Sequence, residues 1–209
     1  MSSYSGYSGS DPDQIDPFDP QDGNIWRKAE YLGRYLFAAD FLRPLRPGLV
    51  ADISCGRGYG SAELAGVAEK VIGVDGSRSL IEWDRKNFQR DNLAFLYKDL
   101  NEEDLFPDIS EGSASAVVSF ETLEHLRDPK RALSQFNRIL RPGGFLIASV
   151  PNVLSESADG AGLPRNKSHK HWFNFSSLSR LVRENDMEVV YRPVSYTHLR
   201  AHETPAHLV

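Results

Sequence analysis

Glu121, Glu124 and His125 stand close together in the chain, and His169 and His171 follow later in Lys167-Ser168-His169-Lys170-His171-Trp172-Phe173. All of these side chains can take up and release protons. If a helix opens just after the apolar run Ala116–Phe120, positions i, i+3 and i+4 share one face, and the first three side chains converge. A neutral imidazole, His125 or His171, is suited to take a proton from a hydroxyl near neutral pH. A second group carries a different chemistry. Gly56, Gly58 and Gly60 follow the apolar run Leu49–Ile53, and Asp75 follows the next, Val71–Val74. Glycines without Cβ let the backbone turn tightly and approach a ligand, while a carboxylate at the following strand end can accept two ribose hydroxyls. Asp75 also reads as a helix cap, and Asp99-Leu100-Asn101 also reads as a turn. Cys55 has no general base beside it and reads as a small buried loop residue, not a nucleophile.

These groups need a frame that gathers strand ends. Strand candidates Val50–Ile53, Val71–Val74, Leu93–Tyr97, Ala116–Phe120, Phe145–Val150 and Glu188–Tyr191 alternate with helix candidates Ser61–Glu69, Ser79–Gln89, Pro129–Leu140 and Ser176–Glu184. That alternation predicts an α/β sandwich, a mostly parallel sheet with helices on both faces. Ligands in such sheets sit at the carboxyl ends of the strands, where Asp75, Asp99 and Glu121 all fall. A helix is also expected from Ile25 to Leu42, where Ala29, Leu32, Leu36 and Ala39, and beside them Tyr35, Ala38 and Leu42, recur at helical spacing before Pro44 and Pro47. Residues 1–24, rich in Ser, Gly, Asp and Pro, hold too little apolar surface to offset their ordering entropy and are expected to be disordered.

Composition removes several function classes. The chain has 209 residues, 40% apolar and 25% charged, which suits one domain with a sizeable core. A net charge of -5 argues against generic nucleic-acid binding, though a local patch can still grip an RNA end. The single cysteine excludes an internal disulfide and suits a reducing compartment. No apolar run approaches a membrane span, and no Lys or Arg precedes Arg27, so no signal peptide is read and a cytoplasmic location is expected.

The glycine spacing decides between cofactors. A dinucleotide fingerprint, G-x-G-x-x-G, would put its third glycine at position 61, which is Ser61. Asp52-Ile53-Ser54-Cys55-Gly56-Arg57-Gly58-Tyr59-Gly60 instead resembles motif I of class I S-adenosylmethionine (SAM)-dependent methyltransferases, with Ser54 where many relatives have glycine. Leu96-Tyr97-Lys98-Asp99-Leu100, Ala116–Glu121 and Arg138-Ile139-Leu140-Arg141-Pro142-Gly143-Gly144 continue the pattern in order. The resemblance implies a Rossmann-like SAM-methyltransferase sandwich in residues 25–194. It implies that Asp52, Ser54, Cys55, Gly56 and Gly58 serve the methionine end, Asp75 the ribose, and Asp99 with the N–H of Leu100 the adenine. Gly76, Phe120 and Glu121 complete the implied cofactor contacts.

Glu121-x-x-Glu124-His125, with a later His171-Trp172-Phe173-Asn174-Phe175-Ser176, resembles the metal site of small-RNA 2′-O-methyltransferases. Ubiquinone-pathway O-methyltransferases have a similar Glu-x-x-Glu-His. This implies Glu121, Glu124, His125 and His171 as ligands of Mg²⁺ or Mn²⁺, which would lower the pKa of the hydroxyl to be methylated. The same Glu-His-Leu also follows strand four in methyltransferases without a metal. The acceptor expected first is a small-molecule oxygen. Two other classes stay open, a nicotinamide oxidoreductase and a non-catalytic SAM-fold binding module. Residues 195–209 resemble translated sequencing-adapter read-through, so the family's final antiparallel strand is expected to be absent and the tail non-native.

Overall fold

Val50, Val71, Ala116 and Val118 pack on one face of a sheet, while Ala51, Ile53, Ile72, Val74 and Val117 pack on the other. This alternation is the period of a strand buried on both sides. The computed structural model of the chain describes residues 17–18, 25–102, 106, 108–153 and 166–190. Strands β1 (Leu49–Ile53), β2 (Lys70–Asp75), β3 (Leu93–Tyr97), β4 (Ala114–Phe120) and β5 (Leu140–Ser149) lie in the order β3-β2-β1-β4-β5. Every pairing is parallel. The order reverses between β1 and β4, so the cleft of this sheet opens at the carboxyl ends of those two strands.

Helices cover both faces. Helix α1 (Ile25–Leu42) and α2 (Tyr59–Leu64) bury Tyr35, Ala38, Leu42 and Leu64 against the Val50 face. Helix α4 (Pro129–Ile139) buries Ala132, Leu133 and Phe136 against the Ile53 face, with Leu178 and Leu181 of α5 (Phe175–Arg183) packed on the same cluster. Helix α3 (Arg78–Asn87) places Ile81 against Cys55 and Phe95. Local chemistry starts three of these helices. Ser77 caps α3, Asp128 caps α4 ahead of Pro129, and Asn174 forms a reciprocal capping box with Ser177 on α5.

Several boundaries depart from expectation. Helix α2 ends at Leu64, five residues before the expected Glu69, because Gly66 and Val67 close tight turns onto Glu63 and Leu64. The Arg141-Pro142-Gly143-Gly144 turn is drawn into β5, whose first residue Leu140 pairs with Ala114 across a register shift. The expected sixth strand does not form over Glu188–Val190, and Val190 is exposed. Asp186 there turns through a left-handed φ of 56° after α5. Tyr191 and residues 195–209 lie outside the described residues. So does most of 1–24, although Phe18 meets Tyr59 edge-on at 6.2 Å. On the β3 flank, Nε and one Nη of Arg85 both donate to the carbonyl of Phe95, at 2.9 and 2.6 Å.

Candidate active site

The glycine loop is tied to the acid that ends β2. Oδ2 of Asp75 accepts from the N–H of Gly56 at 3.0 Å, and Oδ1 accepts from the N–H of Ser77 at 2.8 Å. Each oxygen keeps a second lone pair for a ligand hydroxyl. Burial raises the pKa of this carboxyl group, and the two N–H donors oppose that rise. Gly56 and Gly58 take φ of 54° and 64°, and the space into which a Cβ on Gly56 would project is open. Ser54 shares that left-handed region at φ 62°, where a side chain is strained. Gly76 lies 3.8 Å, measured from its Cβ position, from the carbonyl of Lys98.

Asp52 is not an open cofactor ligand. Its side chain is wholly buried and accepts from Oγ of Ser61 at 2.6 Å and from the hydroxyl of Tyr35 at 3.2 Å. Burial pushes its pKa up to about 7 against the pull of those two hydrogen bonds. The carboxyl group therefore braces β1, α1 and α2 together. Cys55 is also buried, and burial pushes its thiol well above the usual range, which removes it as a nucleophile. Asp99 keeps the turn reading at one oxygen, since Oδ1 accepts from the N–H and the side-chain amide of Asn101 at 2.8 and 3.1 Å. The first of these donors holds its pKa below the usual carboxylate range. Oδ2 is left for another donor. Leu100 beside it is buried, and Phe120 meets Tyr35 edge-on at 5.0 Å.

After β4 the chain does not enter a helix at once. Glu121 takes a left-handed φ of 51°, its N–H donates to the carbonyl of Ser149, and only a single 3₁₀ turn, Leu123–His125, follows. The expected convergence at helical spacing is therefore broken. The Glu121 carboxylate turns to β5 and α1, accepting from Oγ of Ser149 at 2.8 Å and lying 3.6 Å from Arg34. His171 does not join Glu124 either, because its Nε2 is 3.0 Å from the carbonyl of Leu126. His169 stands where His171 was expected. Lys170 and His171 both donate backbone N–H groups to the carbonyl of Glu124, which docks residues 166–171 on the turn. The Lys170 ammonium adds a bond to the carbonyl of His125. The ring centroids of His169 and His125 are then 4.8 Å apart, and Nε2 of His125 lies 3.7 Å from the buried carboxylate of Glu124. One ligand atom from each of Glu124, His125 and His169 falls within 4.8 Å of the others.

Sequence reasoning missed Arg34 and gave Tyr35 only a place in the core. Arg34 pairs with Glu30 at 2.5 Å and lies over the Tyr31 ring, and its Nη1 is buried without a hydrogen-bond partner. Burial first, with Glu121 adding to it, pushes the Tyr31 hydroxyl to about 12. The only signal available was that these residues share one helix with the apolar stripe.

A sequence profile described as a methyltransferase domain matches residues 25–192. The chain belongs to the methyltransferase domain family. This domain is 34% identical over 145 residues to a protein of Mycolicibacterium smegmatis named "Probable S-adenosylmethionine-dependent methyltransferase", covering 67% of this chain and 52% of that one. It thus spans about half the length of that relative. A ubiquinone biosynthesis O-methyltransferase of Thiobacillus denitrificans is 28% identical, over 71% of this chain and 68% of its own. Among solved structures, the complex of the Haloferax volcanii Trm112 methyltransferase activator with its methyltransferase partner aligns with TM-score 0.64 and 22% identity, over 81% of this chain and 74% of that chain. That likeness shows the fold. No helix of the described residues is long and apolar enough to cross a membrane.

Proposed function

We propose that this methyltransferase domain transfers the methyl group of SAM to an oxygen of a small molecule. The observation that carries the reading is the glycine loop pinned by Gly56 to Asp75, with open space above Gly56 and lone pairs left on the carboxylate. Asp75 holds the ribose, Asp99 through Oδ2 and the N–H of Leu100 hold the adenine, and Ser54 to Gly58 hold the methionine end beside Gly76 and Phe120. Arg34 is the cation suited to the methionine carboxylate, with one buried N–H still to be paired. Bound SAM supplies an already activated methyl on its sulfonium, so the protein contributes mainly alignment and proton removal. His125 takes the proton of the acceptor hydroxyl, and the Glu124 carboxylate 3.7 Å away stabilises the imidazolium that results. His171, engaged at Nε2 by Leu126, has only Nδ1 left for such a role.

Oxygen as the acceptor atom is supported by the ubiquinone biosynthesis relatives. A metal-assisted variant is favoured by one observation, the Glu124, His125 and His169 group, which fits a divalent ion with Glu124 and two imidazoles. In that variant His169 replaces His171, and Glu121 stays with Ser149 and Arg34. A cytoplasmic setting fits the single buried cysteine.

Calorimetry with S-adenosylhomocysteine and with NAD tests the cofactor. Only the first should bind, and Asp75→Ala should weaken it roughly ten- to hundredfold through the lost ribose contact. Unchanged affinity in that variant would remove the ribose assignment, and NAD binding would restore the oxidoreductase. Transfer of label from SAM to a cell-extract fraction separates an enzyme from a binding module. If EDTA abolishes that transfer while leaving cofactor affinity intact, the metal variant holds; if it has no effect, His125 acts alone.

A further inference from the structure

Asp84, on α3, is wholly buried. Its carboxyl group abuts the glycine loop itself, since a Cβ on Gly58 would lie 2.8 Å from its Cγ and 2.9 Å from its Oδ1. Neither oxygen has a hydrogen-bond partner. A buried carboxylate without donors is costly, and such a group calls for an explanation. Its charged neighbours are mostly of its own sign. Asp75 at the end of β2 and Asp52 at the end of β1 both oppose its ionisation, while Arg57 in the loop favours it. Arg57 is buried, with its guanidinium 5.5 Å from the centre of the Trp83 ring. Cys55 is a further titratable group of the loop, and β3 presents the apolar ring of Phe95 against the carboxyl group, with the phenol of Tyr97 packed on the same cluster. Arg85, next along α3, directs its guanidinium to the carbonyl of Phe95. Burial first, then Asp75, pushes the Asp84 carboxyl group up to about 8.

The two forms of the cofactor proposed above differ by one charge. SAM carries a sulfonium, and S-adenosylhomocysteine a neutral thioether. We propose that Asp84 is a charge sensor beneath the glycine loop that favours the cationic sulfonium cofactor over its neutral product. The inference rests on the SAM reading of the same loop. A positive ligand at the loop makes ionisation of Asp84 easier, and by reciprocity the ionised carboxylate favours that ligand. The sign follows directly. At low pH Asp84 is neutral and discriminates little; as pH rises through its titration, SAM gains on the product.

Calorimetry on the full chain from about pH 6.5 to about pH 9, with each cofactor form in turn, tests this. In the unaltered protein the Kd of S-adenosylhomocysteine relative to that of SAM should grow about three- to tenfold across the window. In Asp84→Asn the ratio should stay flat. A flat ratio in the unaltered protein overturns the proposal. So does an equal rise in Asp84→Asn, which would assign the effect to Asp52 or to the ammonium of the cofactor. If Asp84→Asn does not fold, carboxyl-carbon NMR of the unaltered protein decides, because one raised aspartate must titrate lower with SAM than with the product. Coincident titrations overturn it. Failure of both forms to bind is a different result, which removes the SAM reading and the sensor together.

Discussion

Ser54 occupies a backbone conformation that glycine adopts freely and an L side chain does not. Its φ of 62° places it beside Gly56 and Gly58 in a run of left-handed residues that turns β1 back toward α2. Replacing Ser54 by glycine relieves strain on the order of 1 kcal/mol, part of it returned as unfolded-chain entropy. Ser54→Gly should therefore raise the urea midpoint, by about 0.5–1 kcal/mol in stability, and leave product affinity within twofold. A less stable variant would mean that the Ser54 hydroxyl contributes more than its backbone costs. The loop was legible in the sequence because its signal is contiguous, with glycines, strand and acid following one another at fixed spacing. The turn after β4 was not. Helical spacing was assumed from Glu121, yet its left-handed φ and its N–H bond to Ser149 on β5 decide the direction of the side chain, and neither is local in sequence. His169 and His171 lie two residues apart, so only the docking of the whole segment on Glu124 settles which ring reaches His125.

Helix α1 is keyed to the glycine loop more tightly than a mobile cover would be. A Cβ on Gly60 would fall 2.1 Å from Cζ of Tyr35, so the tyrosine ring lies flat over the first turn of α2. That ring cannot retreat, because it is 5% exposed and its hydroxyl is bound to Asp52. Gly60→Ala should cost about 1–3 kcal/mol by overpacking. In a Tyr35→Ala background the same change should cost much less, and a double-mutant cycle by urea denaturation measures the difference. Additive losses would show that the contact is slack. Sequence periodicity predicted α1 and placed Tyr35 in its buried stripe. It had no means to match a ring on α1 with a missing Cβ on α2, because this fit exists only once both helices lie on the sheet. The expected sixth strand failed for a related reason. Val189 and Val190 have strand propensity, but Val190 is exposed, with no sheet face to bury it.

For the molecule as a whole, the buried acids set how stability changes with pH. Asp52 titrates near 7 in the fold against an ordinary value of 3.8, so the folded chain holds its proton more tightly than the unfolded chain. Stability from this group is present below the unfolded value and is lost as pH rises through the folded one, by on the order of 4 kcal/mol. Asp52→Asn should remove that slope. The stability difference between unaltered protein and variant, from urea midpoints at about pH 5 and about pH 8, should shift in favour of the variant at the higher pH. A difference independent of pH would show that Asp52 is ionised throughout.

The two flanks of the sheet are unlike. On β3 the carbonyl of Phe95 is already taken by both nitrogens of Arg85, so a foreign strand arriving there meets a cation in place of an acceptor. Among the described residues β5 pairs only with β4 and carries no such guard. From the described residues, edge-to-edge pairing of chains is expected through β5 and disfavoured at β3, so association of that kind should stop at pairs and not extend into fibres. Arg85→Met keeps the aliphatic stem and removes the cation. Light scattering against concentration should then show species larger than dimers, and an unchanged profile would mean that the guanidinium guards nothing.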